Sequence, residues 1–352
     1  MIVSQAPTRV DLAGGTLDIW PLYLFHENSQ TVNVAIQCYA RCRLTPRRDK
    51  AIHLISRDLG IKEQFPSLDA LADAGKYRLP LLARLVMVFA RPSGYGPPGP
   101  YKTTGRNACP TGGLTLETDS DSPTGAGLGG SSALNLAICG ALARFTGRNL
   151  PLEKLIEIAG NVEAQVLGVP TGEQDYYAAA YGGVQAIQLT AHGVQPAKLA
   201  VDASELAARG VLCYTGESRN SGINNWEVMK AHMDGKRTVI RHFDRIAAIA
   251  AEMREALEQH DWARTARLLG REWGARKKNY PGITTPRIER LIALARRNGA
   301  QAAKVCGAGG GGCVFFLCEP EAKALVESAL QQVGARVLPF AVAARGLTVR
   351  ES

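Results

Sequence analysis

The sequence has no apolar run near the roughly 18–20 residues that a membrane span needs, and no charged segment that leads into an apolar one. Neither a membrane span nor a secretory leader is therefore expected, and the cytoplasm is the predicted location. No two of the eight cysteines have Cys-x-x-Cys spacing, and the six histidines show no ligand spacing. These absences argue against a zinc or redox centre and favour reduced thiols.

Basic residues are in excess, with a net charge of +9 over 352 residues. The two densest basic stretches, 41–50 and 271–278, are not interleaved with an aromatic platform, so nucleic-acid binding is not expected. A nucleotide and a phosphorylated small molecule fit this charge better.

Strand-like and helix-like segments are mixed along the chain without a regular βαβ repeat, which predicts an α+β fold. The length allows two domains with cores of their own. The break is expected near residues 185–210, and we divide the chain into 1–195 and 196–352.

The glycine-rich segment from Pro123 to Ala133 leads straight into an apolar, helix-forming stretch. Glycines let backbone N–H groups turn toward an anion, and the positive end of the helix dipole points to the same place. The hydroxyls of Ser131 and Ser132 can cap the helix or reach a phosphate-bound Mg²⁺. The segment therefore predicts a triphosphate site. Its expected members are Pro123, Gly125, Ala126, Gly127, Leu128, Gly129, Gly130, Ser131 and Ser132.

The same loop alone allows other interpretations. Gly125-x-Gly127-x-x-Gly130 matches the dinucleotide fingerprint. That motif belongs on a first βα turn with an acidic residue about 20 residues later, and neither condition is met here. A Walker loop needs a Lys before its Ser or Thr, which is absent. A tight turn between a strand and a helix remains an alternative for the loop by itself.

A second glycine loop, Gly307 to Gly312, has five glycines in six positions. A β-turn needs only one or two, so we expect close contact with a ligand or with the first glycine loop.

Two acids that lie between the glycine loops in the sequence, Glu163 and Asp175, are candidates for chemical roles. Asp175 lies beside a glycine turn and before small residues, which suits a general base that faces a hydroxyl. The alternative is that Asp175 caps the helix formed by Tyr176 to Ala180. Glu163 lies on the polar face of the helix predicted for Leu152 to Leu167, where by itself it is expected to be a solvated surface acid.

Near the start of the chain, Arg9 precedes the Gly14-Gly15 turn and Asp18 follows it. Such an Arg can stabilise a phosphoryl group, and such an Asp can accept hydrogen bonds from substrate hydroxyls. Each is also common as an ordinary surface or turn residue.

Three segments together resemble motifs one, two and three of the GHMP small-molecule kinases, which include galactokinase, homoserine kinase, mevalonate kinase and phosphomevalonate kinase. They are Ala6–Gly15 (APTRVDLAGG), Pro123–Ala133 (PTGAGLGGSSA) and Lys304–Cys313 (KVCGAGGGGC). Their order, their spacing and the chain length agree with that superfamily. Within it, the chain is most similar to the heptose 7-phosphate kinases, on the stretches 14–18, 172–183, 215–220 and 273–288.

The resemblance implies a two-domain fold, an N-terminal domain like ribosomal protein S5 and a C-terminal ferredoxin-like domain, with the active site between them. It implies that Asp175 is the catalytic base and that Arg9 keeps this base ionised and stabilises charge at the γ-phosphate of ATP. Ser132 and Glu163 match the Mg²⁺ ligands. The implied substrate contacts are Gly14, Gly15, Thr16, Asp18, Arg219, Gly309 and Gly310.

The implied activity is ATP- and Mg²⁺-dependent phosphorylation of a sugar hydroxyl, the anomeric one of a heptose 7-phosphate first. The first motif departs from the heptose kinases, which more often have three glycines before Thr-Asp, whereas Leu17 separates Thr16 from Asp18 here. Kinases of unphosphorylated galactose, fucose or arabinose are therefore the alternative, and a non-catalytic sugar sensor or a homo-oligomer is also compatible with the resemblance.

Overall fold

The computed structural model describes residues 1–90, 112–217 and 221–351, and within them the chain forms twelve strands and eleven α-helices. The strands are β1 (Ile2–Ala13), β2 (Gln30–Pro46), β3 (Ile52–Ser56), β4 (Ile61–Phe65), β5 (Leu114–Ser120), β6 (Val184–Thr190), β7 (Gly193–Lys198), β8 (Gly210–Tyr214), β9 (Ala300–Val305), β10 (Cys313–Cys318), β11 (Arg336–Leu338) and β12 (Thr348–Glu351).

The helices are α1 (Leu68–Asp73), α2 (Pro80–Ala90), α3 (Gly130–Phe145), α4 (Leu152–Leu167), α5 (Gln174–Tyr181), α6 (Ala203–Arg209), α7 (Ser221–Met233), α8 (Arg237–Glu258), α9 (Trp262–Arg276), α10 (Pro286–Arg297) and α11 (Lys323–Gln332). Short 3₁₀ turns lie at Leu22–Phe25, Pro281–Ile283 and Pro320–Ala322. None of the helices in the described ranges is long and apolar enough to cross a membrane.

The first sheet contains eight of the described strands. Its main path runs β12-β1-β2-β5-β3-β4, and the long strand β2 also pairs with β6, which pairs with β7. The neighbours are antiparallel except for β3 and β5. Helices α2 to α5 cover this sheet with a buried core that includes Leu44, Leu116, Leu136 and Tyr176.

The second sheet has the order β11-β8-β10-β9 and is antiparallel in every pair of its described strands. Helices α8 to α11 pack on it through buried residues such as Phe243, Ile246, Ile288 and Phe316. Strand β10 is buried along its whole length. A continuous apolar run of this kind is typical of a central strand covered on both faces.

A third buried cluster joins the two sheets. It brings Val10 and Val34 of the first sheet together with Met253 of α8, Leu268 of α9 and Phe315 of the second sheet. Shared apolar burial holds the two halves in one arrangement. Strand β1, which lies in this junction, therefore carries its polar side chains to the boundary between the halves.

The end of the chain returns to the first half. Ala343 and Leu347 bond through their backbones to Ala35 and Ala180, and β12 then pairs with β1, with Glu351 opposite Ile2. Strand β7 spans residues 193–198 in the first sheet. The first sheet therefore takes its strands from residues 2–198 and 348–351, and the second takes its strands from residues 210–338. The division at 195/196 stays a prediction.

The predicted α+β class is confirmed, since strands and helices are mixed along the chain. The helix over Leu152–Leu167 has the predicted bounds and ends at Gly168, whose φ of +67° is a common glycine C-cap. Helix α3 begins at Gly130, four residues before the apolar stretch that predicted it. The seven cysteines in the described ranges are free thiols.

Candidate active site

The first glycine loop connects β5 to α3. Gly125, Gly127 and Gly129 all have positive φ, between +70° and +74°, so the chain can follow this path only with glycine at low cost. Gly129 is the N-cap of α3 and no side chain caps that helix. The first backbone N–H groups of α3 are therefore left for an anion, in the direction that the helix dipole favours.

The second glycine loop lies against the first. A Cβ on Gly307 would come within 2.8 Å of the Gly127 carbonyl oxygen, and one on Gly312 within 2.6 Å of that of Ala126. The Cys313 N–H donates to the Ala126 carbonyl at 2.8 Å. The sequence expectation that this loop contacts the first one is confirmed, and close backbone contact accounts for the glycines.

Arg9 connects the acid on α5 to the first glycine loop. Its Nε and Nη2 both approach Oδ1 of Asp175, at 2.7 and 2.6 Å. Its Nη1 donates to the Gly127 carbonyl oxygen at 2.6 Å. Asp175 lies in the first turn of α5 but does not cap the helix, since Glu173 is the N-cap. The capping alternative for Asp175 is therefore wrong.

The surroundings of Asp175 act on its proton affinity in opposite directions. Burial raises the pKa of Asp175 above its ordinary value, and the charge and hydrogen bonds of Arg9 oppose that rise. A Cβ on Gly129 would lie 3.2 Å from Oδ2 of Asp175, so the oxygen that does not contact Arg9 faces the start of α3. A carboxylate of raised pKa beside an anion site is suited to accept a proton there.

Glu163 is buried, at 3% exposure, which corrects the expectation of a solvated surface acid. Its Oε2 accepts hydrogen bonds from Ser132 at 2.9 Å and from Tyr176 at 2.5 Å. Burial raises the pKa of Glu163, and these hydroxyls oppose the rise. Glu153, Glu157 and Gln165 on the polar face of α4 are exposed, whereas Glu163 turns toward α3 and α5. Periodicity within one helix cannot reveal which of its polar residues another helix covers.

The Ser132 hydroxyl and the Glu163 carboxylate thus form an adjacent pair of oxygen donors at the start of α3. No group of three or more His, Cys, Asp or Glu side chains in the described residues is placed to hold a metal ion. Mg²⁺ is commonly held by one or two protein oxygens together with substrate phosphates and water. The pair fits Mg²⁺ bound to a nucleotide and does not fit a metal held by protein side chains alone.

Asp18 lies at the start of α5 and is 1% exposed. Its Oδ2 accepts from the Gln174 backbone N–H at 3.0 Å and its Oδ1 from the Gln174 side-chain amide at 3.3 Å. Burial, with the charge of Asp175 second, raises the pKa of Asp18 to about 6. Burial and the charge of Asp18 raise the pKa of Glu173 to about 7. Asp18, which follows the Gly14-Gly15 turn, therefore joins that turn to the start of the helix that carries Asp175.

The turn before Asp18 is closely packed. Thr16 has a φ of +73°, unusual for a β-branched residue, and its hydroxyl lies 3.3 Å from Oδ1 of Asn225 and 3.0 Å from Nη2 of Arg276. A Cβ on Gly14 would overlap the Gln30 carbonyl, and one on Gly15 would overlap Arg276. Gly14, Gly15 and Thr16 are therefore each in close contact with residues from other parts of the chain.

Two further predicted substrate contacts, Gly309 and Gly310, lie in the second glycine loop. Gly309 and Gly310 lie against the 3₁₀ turn at Ile283, whose carbonyl oxygen accepts from the Gly310 N–H at 2.6 Å. Arg219 lies outside the described residues.

Sequence reasoning missed two groups of polar residues. Gln174 and Glu173 directly precede Asp175, and that adjacency was the available signal. Asp11, Glu272, Arg276 and Lys304 are buried together between the two halves. They are separated by up to 293 positions along the chain. The available signal was that Asp11 lies in the first of the three motifs and Lys304 in the third.

Two family models match the chain. The GHMP kinases N terminal domain matches residues 101–183, and the GHMP kinases C terminal domain matches residues 253–336. The first range holds the first glycine loop, Glu163 and Asp175, and the second holds Arg276 and the second glycine loop.

Individual relatives extend these matches over nearly the whole chain. The D-glycero-alpha-D-manno-heptose 7-phosphate kinase of Campylobacter jejuni is 31% identical, over 98% of each protein. The L-fucokinase/L-fucose-1-P guanylyltransferase of Bacteroides fragilis is 26% identical, over all of this chain and 39% of that longer protein. The crystal structure of a D-glycero-D-manno-heptose 1-phosphate kinase from Bacteroides thetaiotaomicron superposes with a TM-score of 0.79 and 25% identity, over 100% of this chain and 99% of the other.

Proposed function

Because the chain belongs to the GHMP kinase family, we propose that it transfers the γ-phosphoryl group of ATP to the anomeric hydroxyl of a heptose 7-phosphate. The family membership makes it an ATP-dependent phosphotransferase with an alcohol as acceptor. The heptose phosphate is supported by the similarity to the Campylobacter jejuni kinase over the full chain.

The observation that carries the proposal is the link from Asp175 through Arg9 to the first glycine loop. It places a carboxylate of raised pKa next to the helix start that suits a triphosphate. A base and an anion site held this close allow a hydroxyl bound between them to react with the terminal phosphate.

In this mechanism the sugar hydroxyl oxygen attacks the γ-phosphorus while the bond from that phosphorus to the β–γ bridging oxygen breaks and ADP leaves. Oδ2 of Asp175 takes the hydroxyl proton, because Oδ1 is held by Arg9. The positive charge of Arg9 keeps the base ionised before the reaction and lies close to the charge that develops on the phosphoryl oxygens.

The triphosphate is assigned to the segment Pro123–Ser132, with its phosphates at the uncapped start of α3. We assign Ser132 and Glu163 to Mg²⁺, which when bound neutralises phosphate charge. Glu163 must be ionised for this role, and the hydroxyls of Ser132 and Tyr176 favour that form by donating to it.

The sugar is assigned to the side of Asp175 that carries Asp18. Asp18 is tied to Gln174 and so supports the α5 start, and its remaining lone pairs can accept from sugar hydroxyls. Arg219 is proposed for the substrate's phosphate. We also propose that the protein acts in the cytoplasm, that its partner is a sugar phosphate and that it binds no nucleic acid.

A kinase of an unphosphorylated sugar is the second candidate. It is favoured by the similarity over the full chain to the fucokinase of Bacteroides fragilis, and by Leu17, which alters the turn that precedes Asp18. Both candidates use the same base and the same phosphate loop and differ only in the acceptor.

The test is an ADP-release assay with Mg·ATP and a panel of acceptors: heptose 7-phosphate, mannose, galactose, fucose, arabinose and mevalonate. Selective turnover of the heptose phosphate, lost in Asp175→Asn, supports the proposal. Turnover of a free sugar replaces the first candidate with the second. ADP release that does not depend on any acceptor contradicts both.

A further inference from the structure

A cluster of four charged side chains is buried where the two halves meet. Asp11 comes from β1, Glu272 and Arg276 from α9, and Lys304 from β9, and none is more than 3% exposed. The Lys304 ammonium donates to Oδ2 of Asp11 at 2.5 Å and to its backbone carbonyl at 3.1 Å, and Nη1 of Arg276 donates to the same Oδ2 at 3.2 Å. One carboxylate of the first half thus holds two cations of the second.

Arg276 also makes contacts that charge balance does not require. Its Nη2 donates to the Thr16 hydroxyl at 3.0 Å and to the Gly307 carbonyl oxygen at 2.7 Å. Thr16 belongs to the turn that leads to Asp18, and Gly307 belongs to the glycine loop that lies on Gly127. A single guanidinium therefore bonds to a loop assigned to the sugar and to a loop that supports the phosphate site.

The first of these loops leaves room for this guanidinium. A Cβ on Gly15 would overlap both Nη1 of Arg276 and Oδ2 of Asp11. Thr16 next to it keeps a φ of +73°, which costs free energy for a β-branched residue and persists only where neighbours hold it. The hydrogen bond from Arg276 is one of the contacts that hold it.

We propose that Arg276 is a positioning residue that fixes the Thr16–Asp18 turn relative to the two glycine loops, and so aligns the acceptor hydroxyl with the γ-phosphate. The proposal rests on the proposed kinase function. Arg276 touches neither ligand in this scheme and acts through Thr16 and Gly307. A planar guanidinium reaches Asp11, Thr16 and Gly307 at fixed angles, which a lysine ammonium at the same position cannot do.

Glu272 provides the matched control. It is as buried as Arg276 and belongs to the same cluster, but its carboxylate oxygens lie 3.6 Å from Nη1 of Arg276 and 3.8 Å from Lys304 Nζ. Neither distance is a hydrogen bond, and Glu272 contacts neither Thr16 nor Gly307 through any described bond. Glu272→Gln therefore changes the charge of the cluster and keeps the bonds to both loops.

The experiment compares Arg276→Lys, Thr16→Val, their double variant and Glu272→Gln. We expect Arg276→Lys and Thr16→Val each to lower kcat/KM for the acceptor by about tenfold or more, since small misalignments are costly. In Thr16→Val, ATP affinity in the absence of acceptor is expected to stay within about threefold, because Gly307, Arg9 and the start of α3 keep their contacts. The double variant is expected to be no worse than Arg276→Lys, since both changes remove one shared bond.

A second readout does not depend on which sugar is turned over. Amide hydrogen exchange is expected to rise at residues 14–18 and 307–312 in Arg276→Lys and to stay at the wild-type level in Glu272→Gln. Absence of this rise overturns the positioning role, as does additive loss in the double variant or equal loss in Glu272→Gln. If the wild-type protein phosphorylates no acceptor, the proposed function is contradicted. If exchange then still rises in Arg276→Lys and not in Glu272→Gln, the coupling of the two loops is supported.

Discussion

Arg9 directs two of its nitrogens to the same oxygen of Asp175, with Nε and Nη2 at 2.7 and 2.6 Å from Oδ1. Oδ2 is left facing Gly129 at the start of α3. This asymmetry divides the carboxylate into one oxygen that is held and one that can take a proton, and the first two predictions depend on it.

Asp175→Asn keeps the size of the side chain and removes its ability to accept a proton. We expect turnover to fall by at least ~10²-fold, as for the loss of a general base, while ATP affinity measured by calorimetry stays close to wild type. Wild-type turnover in this variant would remove Asp175 from the mechanism.

Arg9→Gln removes the positive charge that opposes the effect of burial on Asp175. The pKa of Asp175 is then expected to rise, so that a higher pH is needed to ionise it. The acidic limb of the pH profile of kcat/KM should move upward by about 1–3 units, the usual effect of a neighbouring opposite charge. Arg144→Gln, which breaks an exposed ion pair with Glu351, is the control and should leave the limb in place.

Gly127→Ala tests the close contact between the two glycine loops. Gly127 has a φ of +74° and its Cβ would overlap the Cys306 carbonyl, whereas Gly60 has a φ of +65° and open space around it. Both alanines incur the backbone cost of about 1–2 kcal/mol for a left-handed residue. We expect only Gly127→Ala to raise KM for ATP, by about tenfold or more, because only there must the phosphate loop move. Equal KM values for the two variants would contradict this account.

Glu163→Gln tests the assignment of Mg²⁺. Loss of the charge on this ligand should raise the Mg²⁺ concentration needed for half-maximal activity by about 10–100-fold, in the range found for metal-site substitutions.

Tyr176→Phe removes one hydroxyl that donates to Glu163 and keeps the carboxylate. It should raise the pKa of Glu163, so that its Mg²⁺ requirement exceeds that of wild type mainly at low pH. A Mg²⁺ titration unchanged in Glu163→Gln would move the metal to other residues.

Two acids near the start of α5, Asp18 and Glu173, should make stability depend on pH. The pKa of Asp18 is raised to about 6 and that of Glu173 to about 7, above their values in the unfolded chain. The native state therefore binds more protons between about pH 4 and 7, and stability falls as pH rises through that window. Glu173→Gln should raise the Tm at pH 8 by about 2 °C or more and flatten the slope. Glu351→Gln, whose acid has a lowered pKa, should keep the wild-type slope between pH 5 and 8.

The sequence led to the parts of the site that local rules govern. Both glycine loops and the helix that follows the first one were predicted from residue types at short spacing, and the role of Asp175 as base was implied by the resemblance. The bounds of α4 followed from the spacing of its apolar residues. The burial of Glu163 did not, because it depends on Ser132 and Tyr176, which reach it from two other helices.

Long-range charge pairing was the other feature out of reach. Asp11 and Lys304 lie 293 positions apart, and a single sequence shows neither that they meet nor that Arg276 joins them. Within one chain, pattern and spacing describe an element's own faces, whereas contacts between elements depend on how the faces are stacked.

The pairing of β12 with β1 has a consequence for folding. Strand β12 covers the outer edge of β1, and Leu347 just before it donates to the Ala180 carbonyl near the end of the helix that carries Asp175. Both contacts join residues that are far apart in the sequence, and such contacts form slowly because a long loop must close first. Until they form, β1 presents an unpaired edge to which a strand of another chain can add.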